Sequence, residues 1–589
     1  MAATDCGKGQ KCTGGTCSPL VAFLCSNGET DPKKKVTFPD GKKEDKDLPT
    51  FICHKSGEMG TTGGLKQLSF KTSTKGQWKV ALEKWALYGE ISIQGGTAKE
   101  AGASIQLNKN PAASTIPVDV SGFVLSLDLP SGDVSAVVNG LISKLQGLPN
   151  KSSITILSSG SPKTSHDKFS MVVSSQVQIK TSGNKTPIDV RNALFATLLG
   201  KQVASVPTAY GPSTNDFHLR FQTVLRKDRV ILMGGVATTQ MVNDTKVPTG
   251  MHMDDLSNGT GLADPNNSDM VECDPFILAS NPVADIIWVV DESGSMSDNR
   301  QDVANNAADF FSRAVKSGLD FRIAVTGVDK DNSYGFYQGK FCSSISTNSQ
   351  DSGGVDRFLT PQEQAIFAAC AKNPPGYEGG SEYGMLNAKQ AVVRHLPRAA
   401  NDPTKIRPNA TLVIIHATDE FPNGASVSYS YAKTCQLPSN IQSSVNNWAK
   451  PYIDFFSGKD AQYGTQAKAI MHMIGGVCNN TCNAQVGHGY NEVVNATFGT
   501  KADVCQKNLG TSMQIIIDSI TGASSPAVLQ YVPISASLAV AIDKATIKRS
   551  RLTGFDYSPA TNSLIFIGVP FPKGSQVVAS YRRWVKQAA

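Results

Sequence analysis

A carboxylate and two hydroxyls alternate directly after an apolar run near the middle of the chain. The run Asp285–Val290 (DIIWVV) is followed by DESGS, which contains Asp291, Ser293 and Ser295. At alternate positions of a tight turn, these three side chains can point to one spot. Carboxylate and hydroxyl oxygens suit hard cations and not Zn²⁺. The pattern therefore predicts a divalent-cation site, with Mg²⁺ as the first choice and Ca²⁺ or Mn²⁺ as alternatives.

A second acid ends another apolar run. Asp419 follows TLVIIHAT, residues 411–418. In open α/β sheets, ligands bind outside the carboxyl ends of the strands, so we expect Asp419 to supply a carboxylate to the same site. Only one of the first three side chains is charged, so the cation would keep excess positive charge. An open coordination position would then capture an acidic side chain of a protein partner.

The two serines have a simpler alternative explanation as helix caps. Serine side chains commonly accept backbone N–H groups at the start of a helix. Capping needs only one side chain and leaves Asp291 and the other serine without a role. We therefore favour the cation site over capping.

Strand-like and helix-like runs alternate around this motif. Continuous apolar runs are typical of strands that are covered on both faces of a parallel sheet. Residues 275–525 are therefore predicted to form an α/β, Rossmann-like domain with a doubly wound, mostly parallel sheet. The predicted strands are 285–290, 321–329, 411–420 and 467–476, and the predicted helices are 300–316, 385–396 and 508–522.

The flanking regions carry strand patterns of their own. Residues 51–270 are predicted to form an N-terminal α+β region, ferredoxin-like in its order of strands and helices. Within it, a helix is expected to begin after Thr186 and to end at Gly200, and two later strands form a hairpin across Arg226–Asp228. Residues 526–589 alternate apolar and polar positions between turn sequences, which predicts a small C-terminal β-sandwich-like domain.

The chain contains twelve cysteines, four of them within the Gly-rich stretch 6–25. Such a stretch cannot bury a core, and it lacks the cysteine and histidine spacing of a zinc site, so disulfides are favoured. Residues 1–50 are therefore predicted to be a disulfide-rich head with a charged linker. Disulfides imply an oxidising compartment. We expect a secreted protein or one of the cell surface or outer envelope, with no signal sequence visible.

Other cysteines lie within the predicted α/β domain. Cys342 and Cys370 bracket a long loop that they could close, and Cys478, Cys482 and Cys505 surround a predicted loop and strand. For the second group a structural link is favoured over redox catalysis, because no CxxC pair is present. The connectivity stays open at this stage.

Charge and motifs argue against several functions. The net charge of +7 is modest for 589 residues, and the lysines of 32–47 are mixed with acids, so no nucleic-acid partner is expected. No apolar run is long enough for a transmembrane helix. The chain lacks the G-x-S-x-G, phosphate-loop and H-E-x-x-H motifs. We therefore expect a protein that is not an enzyme.

The D-x-S-x-S element, placed between an apolar strand and a helix, resembles the von Willebrand factor A domain with its metal-ion-dependent adhesion site. The resemblance implies that Ser293 and Ser295 bind the ion directly, that Asp291 acts largely through water and that Asp419 is the distal aspartate. The family also uses a threonine from an intervening loop. The corresponding stretch here, GYEGGSEYG, has none, so Ser381 is the candidate replacement and Glu382 competes with it.

The chain further resembles bacterial surface proteins and lipoproteins that carry this domain. The resemblance implies a non-enzymatic surface protein that mediates metal-dependent adhesion or assembly by binding an acidic residue of a protein partner. The alternative is a structural subunit of a surface filament or envelope assembly, in which the metal site only stabilises the fold. Its partners would then be further copies of the chain or other surface subunits.

Overall fold

The structure is a computed structural model that describes most of the chain from residue 68 onward, together with six short strands before it. The described ranges after the six strands are 68–107, 119–128, 134–160, 172–204, 212–226, 228–258, 260–278, 282–329, 338–344, 356–376, 382–425, 427–478, 482–506, 509–525, 527–542, 545–559, 561–568 and 575–585.

Strands dominate the N-terminal half. The strands up to residue 128 are β1 (Gln10–Thr13), β2 (Thr16–Pro19), β3 (Ala22–Leu24), β4 (Lys35–Thr37), β5 (Lys43–Asp45), β6 (Ile52–His54), β7 (Leu68–Thr72), β8 (Lys79–Glu83), β9 (Leu87–Glu90), β10 (Ala101–Leu107) and β11 (Val120–Asp128). Helices then alternate with strands as α1 (Val134–Leu145), β12 (Lys151–Gly160), β13 (Val172–Lys185), α2 (Pro187–Leu199), β14 (Thr214–Leu225), β15 (Arg229–Thr238), α3 (Thr239–Asn243), α4 (Thr249–Ser257), β16 (Leu262–Ala263) and β17 (Asp269–Leu278).

Helices are more frequent in the following segment. Its elements are β18 (Val283–Val290), α5 (Ser297–Asn305), α6 (Ala307–Lys316), β19 (Asp320–Thr326), α7 (Gln364–Lys372), α8 (Gly384–Arg394), β20 (Thr411–Ala417), α9 (Ser439–Phe456), β21 (Ala469–Gly475), α10 (Tyr490–Ala496), β22 (Lys501–Asp503) and α11 (Gly510–Ser524). The last strands are β23 (Ile534–Ile542), β24 (Ala545–Ile547), β25 (Gly554–Ser558), β26 (Ser563–Ile567) and β27 (Ser575–Trp584).

One large sheet joins the two halves of the chain. Its twelve strands follow the order β19-β18-β20-β21-β22-β12-β13-β14-β15-β11-β10-β9. The first five strands are parallel to one another, and the other seven are joined by antiparallel pairing. The two parts meet where Ser159 pairs with Lys501 in antiparallel register.

The predicted fold class, a doubly wound and mostly parallel α/β sheet, is therefore wrong. The sheet is mixed, and most of its strands pair antiparallel. The physical reason is that β22, the last parallel strand, pairs with β21 on one side only and leaves the backbone groups of its other edge to be paired. Strand β12 takes up that edge and continues the sheet into the N-terminal half.

The flanking domains were also predicted incorrectly as separate folds. The order β12-β13-β14-β15-β11 places the two strands that flank α1 at opposite ends of this group, which is not the ferredoxin-like arrangement. The C-terminal strands β23, β24 and β27 share a six-stranded sheet with β17, β4 and β5, so they do not form a sandwich alone. The domain boundaries themselves remain a prediction.

Two local features of this region, the ends of α2 and a hairpin, are as predicted from the sequence. Thr186 caps α2 and accepts a hydrogen bond from the backbone N–H of Asp189, Pro187 occupies the first turn, and Gly200 ends the helix in the left-handed conformation. Strands β14 and β15 form the predicted hairpin, closed by a hydrogen bond from the Arg226 N–H to the Arg229 carbonyl. These features depend on neighbouring residues, which is why the sequence indicates them.

Strand β18 lies at the centre of the parallel part and is buried along its whole length. Successive side chains of a strand face opposite sides of the sheet. Ile286 and Trp288 pack beneath α5, α6, α7 and α11, and Trp288 contacts Phe310 edge to face at 5.7 Å. Ile287 and Val289 pack against α8, α9 and α10. Burial on both faces fixes the position of the turn that follows Val290.

Among the helices that the structure describes, none combines the length and the apolarity needed to span a bilayer.

Candidate metal site

The predicted site residues follow two neighbouring parallel strands. Strand β18 pairs with β20 from Ala284 to Val290, and the N–H of Asp291 donates to the carbonyl of Ala417 at 3.0 Å. The turn after β18 and the segment after β20 therefore start side by side at the carboxyl edge of the sheet. This placement brings Asp291 and Asp419 to the same edge, as the sequence predicted.

A chain of hydrogen bonds connects the hydroxyls to the distal aspartate. The Ser293 and Ser295 hydroxyl oxygens lie 2.9 Å apart. The Ser295 hydroxyl donates to Asp419 Oδ1 at 3.1 Å. Ser295 is exposed, while Ser293 and Asp419 are half-buried. The oxygens of three of the five predicted ligands thus converge at a position that is open to solvent.

Asp291 lies beneath this group and is fully buried. Its Oδ1 accepts the backbone N–H of Ser293 at 2.8 Å, and its Oδ2 accepts the Thr418 hydroxyl at 2.8 Å. Burial raises the pKa of Asp291, and the hydrogen bonds from Ser293 and Thr418 oppose that rise. Asp291 therefore holds the turn that presents the serines, and it depends on Thr418, which the sequence analysis did not identify.

The capping alternative finds no support in the hydrogen bonds. The turn continues as a 3-10 helix, Gly294–Met296, and then as α5. Ser293 stands at the cap position of the 3-10 helix but makes no side-chain cap hydrogen bond, and neither does the residue that precedes α5. The two hydroxyls instead contact each other, and that of Ser295 also donates to Asp419.

Arg300 fixes the turn from the side of α5. Its Nη1 donates to the carbonyl of Asp291 at 3.1 Å and to that of Ser293 at 2.6 Å. Its Nε donates to the carbonyl of Lys372 at 3.1 Å. The buried guanidinium thus ties the turn to the end of α7. The position of Arg300 on α5 could have suggested a guanidinium beneath the turn. Its acceptors, however, are backbone carbonyls, which no sequence motif indicates.

Further carboxyl groups surround the hydroxyls. Burial, followed by the charge of Asp291, raises the pKa of Asp419 to about 6. Burial and the charges of Asp291 and Glu420 raise the pKa of Glu382 to about 10. The carboxyl of Glu382 also hydrogen-bonds to Glu420. The neighbouring carboxyls therefore disfavour each other's ionised forms, so without a cation the Glu382 carboxyl keeps its proton at neutral pH.

Glu292 is a separate buried acid on the opposite side of the turn. Its Oε2 accepts the N–H of Val328 at 2.8 Å, and burial raises its pKa well above the usual value. A Cβ on Gly376, whose φ is +154°, would collide with this carboxyl. Glu292 therefore positions the segments after β19 and α7 around the site, and a glycine is required where the backbone crosses it.

The donor set fits a hard divalent cation. The oxygens come from hydroxyls and carboxylates, the ligands that Mg²⁺, Ca²⁺ and Mn²⁺ prefer. Oε2 of Glu382 is buried and has no hydrogen-bond partner among the described residues, and a cation would satisfy such an oxygen. Within those residues, no three His, Cys, Asp or Glu side chains gather closely enough to bind a metal by themselves. Serine hydroxyls would therefore have to complete the ligand set.

The structure leaves one predicted ligand untested. Ser381 lies outside the described residues, so its competition with Glu382 for the place of the family threonine stays a prediction. Glu382 itself is buried beside the site. It reaches the same edge of the sheet because the Tyr383 N–H donates to the carbonyl of Val328.

Comparisons with known proteins give no family for this chain. No family model matches it, and no curated protein matches it. Among solved structures, it is similar to the pilus adhesin SpaC from Lactobacillus rhamnosus GG, with 10% identity over 88% of this chain and 51% of the adhesin and a TM-score of 0.29. The chain thus spans about half the length of that adhesin.

Two other similar structures are shorter. The PilB minor pilin from Streptococcus sanguinis is 12% identical over 66% of this chain and 97% of the pilin, with a TM-score of 0.24. The manganese-loaded TRAP protein of Plasmodium vivax is 14% identical over 39% of this chain and 66% of that protein, with a TM-score of 0.20. These TM-scores are too low for the likenesses to carry an argument about fold or function.

Proposed function

We propose that this chain is a non-enzymatic surface protein that adheres to, or assembles with, a protein partner through its carboxyl-edge site. The observation that carries the proposal is the contact of the Ser295 hydroxyl with the Ser293 hydroxyl on one side and with Asp419, which follows a different strand, on the other. In the finer form of the proposal, a divalent cation mediates the contact.

Each residue of the site has a role in this proposal. Ser293, Ser295 and Asp419 would hold the cation, and Ser381 or Glu382 would complete the ligand set. Asp291 orients the serines through the backbone N–H of Ser293. When bound, the cation supplies a positive charge that attracts a carboxylate of the partner. Magnesium remains the first choice, with calcium and manganese as alternatives.

The surroundings of the site support contact with a protein. Tyr429 follows Asp419 in the chain and is 73% exposed. Its hydroxyl donates to Glu420 Oε2 at 3.4 Å, and its ring contacts Phe421 at 6.0 Å. Exposed tyrosines are enriched at protein interfaces. An aromatic side chain next to a charged site is thus available to a partner.

Two disulfides support an oxidising compartment. Cys342–Cys370 and Cys482–Cys505 are joined in the structure, and disulfides persist in secreted and surface proteins. The first closes the long loop that the two cysteines bracket in the sequence. The second joins the segment after β21 to the segment after β22.

The second candidate is a structural subunit of a surface filament or envelope assembly, in which the cation only stabilises the fold. It is favoured by the hydrogen bonds of Asp291, Glu292 and Arg300. These bonds hold the turn after β18, the segment after β19 and the end of α7 together. A cation that neutralised the surrounding carboxyls would stabilise this edge without touching a partner. Surface adhesion or assembly is common to both candidates.

Isothermal titration of Mn²⁺ into the EDTA-treated full chain tests the site. We expect one saturable site in the unmodified protein and at least a tenfold weaker one in Ser295→Ala, because the substitution removes a proposed ligand hydroxyl. Ser295 is exposed, so its hydroxyl can be removed without disturbing the core. The matched control is Asp309→Asn, which alters a carboxylate on α6 that is 62% exposed. Equal affinity in all three proteins would overturn the cation proposal.

A second measurement separates the two candidates. The purified chain is applied to cells of the organism that produces it, with Mg²⁺ or with EDTA, and the bound fraction is measured. Cation-mediated adhesion predicts that EDTA and Ser295→Ala each abolish binding. A structural role predicts unchanged binding together with a lower thermal midpoint in EDTA.

A further inference from the structure

Two cysteines outside the known disulfides meet at the same edge of the sheet. Cys435 lies between β20 and α9, and Cys478 lies three residues after β21. The two thiols are in hydrogen-bonding contact. Cys478 is buried and Cys435 is partly exposed. Sequence spacing gave no reason to pair these two cysteines, because they follow different strands.

The approach of the thiols is imposed by the segments that carry them. The N–H of Val486 donates to the carbonyl of Ala432 at 2.6 Å, and the N–H of Gln485 donates to the carbonyl of Asp419 at 2.7 Å. A ring nitrogen of His488 hydrogen-bonds to the carbonyl of Thr434 at 2.8 Å. The N–H of Gly487 donates in turn to the carbonyl of Gly476 at 2.9 Å. The backbone next to Cys435 and the backbone next to Cys478 are therefore both held against the stretch 485–488.

We propose that Cys435 and Cys478 are joined by a third disulfide in the mature protein. Two thiols in contact on fixed backbones need little movement to form a bond, and the chain already contains Cys342–Cys370 and Cys482–Cys505. Persistent thiols would be unusual beside two disulfides in an oxidising compartment.

The oxidation follows ordinary thiol–disulfide exchange. One cysteine attacks a disulfide of an external donor, either a small-molecule disulfide or a disulfide oxidoreductase, and releases one donor thiol. The second cysteine attacks the resulting mixed disulfide, forms the Cys435–Cys478 bond and releases the second donor thiol. The donor gains two electrons, and the two protons of the cysteines pass to its thiols.

Burial bears on which thiol reacts first. Contact with Cys435, followed by burial, raises the pKa of the Cys478 thiol. Since the thiolate is the reactive form, the buried Cys478 would react slowly with an external donor. The partly exposed Cys435 is therefore the thiol that attacks the donor, and Cys478 resolves the mixed disulfide.

The new bond would connect three consecutive edge segments. Cys478 and Cys482 belong to the same segment after β21, and Cys482 is already bonded to Cys505 after β22. A bond from Cys478 to Cys435 adds the segment after β20, which contains Asp419. The segments after three adjacent strands would then be linked covalently in series behind the candidate metal site.

Peptide mapping without reduction tests the bond directly. The full chain is secreted into an oxidising compartment, unfolded in the presence of iodoacetamide and digested with trypsin. The sequence predicts the peptides 434–459, 469–501 and 502–507, which contain Cys435, the pair Cys478 and Cys482, and Cys505 respectively. We expect all three peptides as one covalent species. Alkylated 434–459 beside a linked 469–501 and 502–507 would overturn the proposal.

Single substitutions establish which sulfurs are bonded. Cys478→Ser should release 434–459 as an alkylated peptide and leave 469–501 linked to 502–507. Cys482→Ser should instead keep 434–459 linked to 469–501. If Cys482→Ser released 434–459, Cys435 would be bonded to Cys482, and the proposed pairing would be wrong. These results concern linkage alone and do not depend on the function of the metal site.

Discussion

Thr418 offers the sharpest test of how the candidate metal site is built, because its hydroxyl hydrogen-bonds to Asp291, the residue that orients the serines. Its hydroxyl donates to Asp291 Oδ2 at 2.8 Å and accepts the N–H of Glu420 at 3.2 Å. Thr418 is 1% exposed, so water cannot replace its hydroxyl. Thr418→Val removes this donor and keeps the shape of the side chain, while Thr418→Ser keeps the donor.

The size of the effect follows from these contacts. A hydrogen bond to a charged group contributes about 1.5–3 kcal/mol, and a buried acceptor left unpaired costs a similar amount. We therefore expect Thr418→Val to lower the free energy of unfolding by about 2 kcal/mol. Groups that orient metal ligands typically contribute about 10–100-fold to metal affinity. Mn²⁺ affinity should fall within that range.

The assay combines urea unfolding in EDTA with Mn²⁺ titration of the folded proteins. Thr418→Ser should keep Mn²⁺ affinity close to that of the unmodified protein, because serine keeps the hydroxyl that donates to Asp291. Unchanged Mn²⁺ affinity in Thr418→Val, despite the expected loss of stability, would refute the inference that Asp291 positions the serines for a cation.

Three further predictions concern the stability of the fold. Burial lowers the pKa of His416 to about 3, below the unfolded value of about 6.5. The neutral ring therefore contributes fully to the free energy of unfolding above pH 6.5, and this contribution is lost as the pH falls towards 3. Urea unfolding should show that His416→Leu weakens the loss of stability between pH 7 and pH 5 by about 2 kcal/mol; an unchanged pH dependence would contradict burial of a neutral ring. Asp556 accepts hydrogen bonds from Arg549 Nε at 3.0 Å and Arg551 Nε at 2.7 Å. Asp556→Ala should cost about 1.5–3 kcal/mol in urea unfolding, because it removes one of the two carboxylates of each buried guanidinium and leaves Asp255 and Asp254 as their partners; a cost below about 1 kcal/mol would refute this. Replacing both cysteines of the Cys342–Cys370 disulfide with serine should lower the free energy of unfolding by about 2–5 kcal/mol relative to the unmodified protein. Under reducing conditions, where the unmodified protein also loses this disulfide, the difference between the two proteins should vanish.

The sequence indicated the candidate site better than it indicated the fold around it. Asp291 and Asp419 could be placed together because each follows a continuous apolar run, and the ends of parallel strands share an edge. Thr418 could not be identified in this way. Its role depends on β20 lying next to β18, which is a matter of strand order and not of local pattern.

The large sheet shows the same limit more strongly. The junction of its parallel and antiparallel parts is the pairing of Ser159 with Lys501, two residues far apart in the chain whose surroundings show no matching pattern. The C-terminal strand β27 likewise pairs with β17, which precedes the whole parallel segment. Hydrophobic periodicity identifies strands, but it does not tell which distant edges they complete.

The hydroxyls of Ser293 and Ser295 and the carboxylate of Asp419 are proposed to bind one divalent cation. Anomalous diffraction from crystals of the full chain grown with Mn²⁺ measures this most directly. We predict a single strong peak at the carboxyl edge of β18 and β20, at a coordination distance of about 2.1–2.3 Å from both serine oxygens. If no anomalous peak appears at this position, and Mn²⁺ binds elsewhere or not at all, the proposed cation site is wrong.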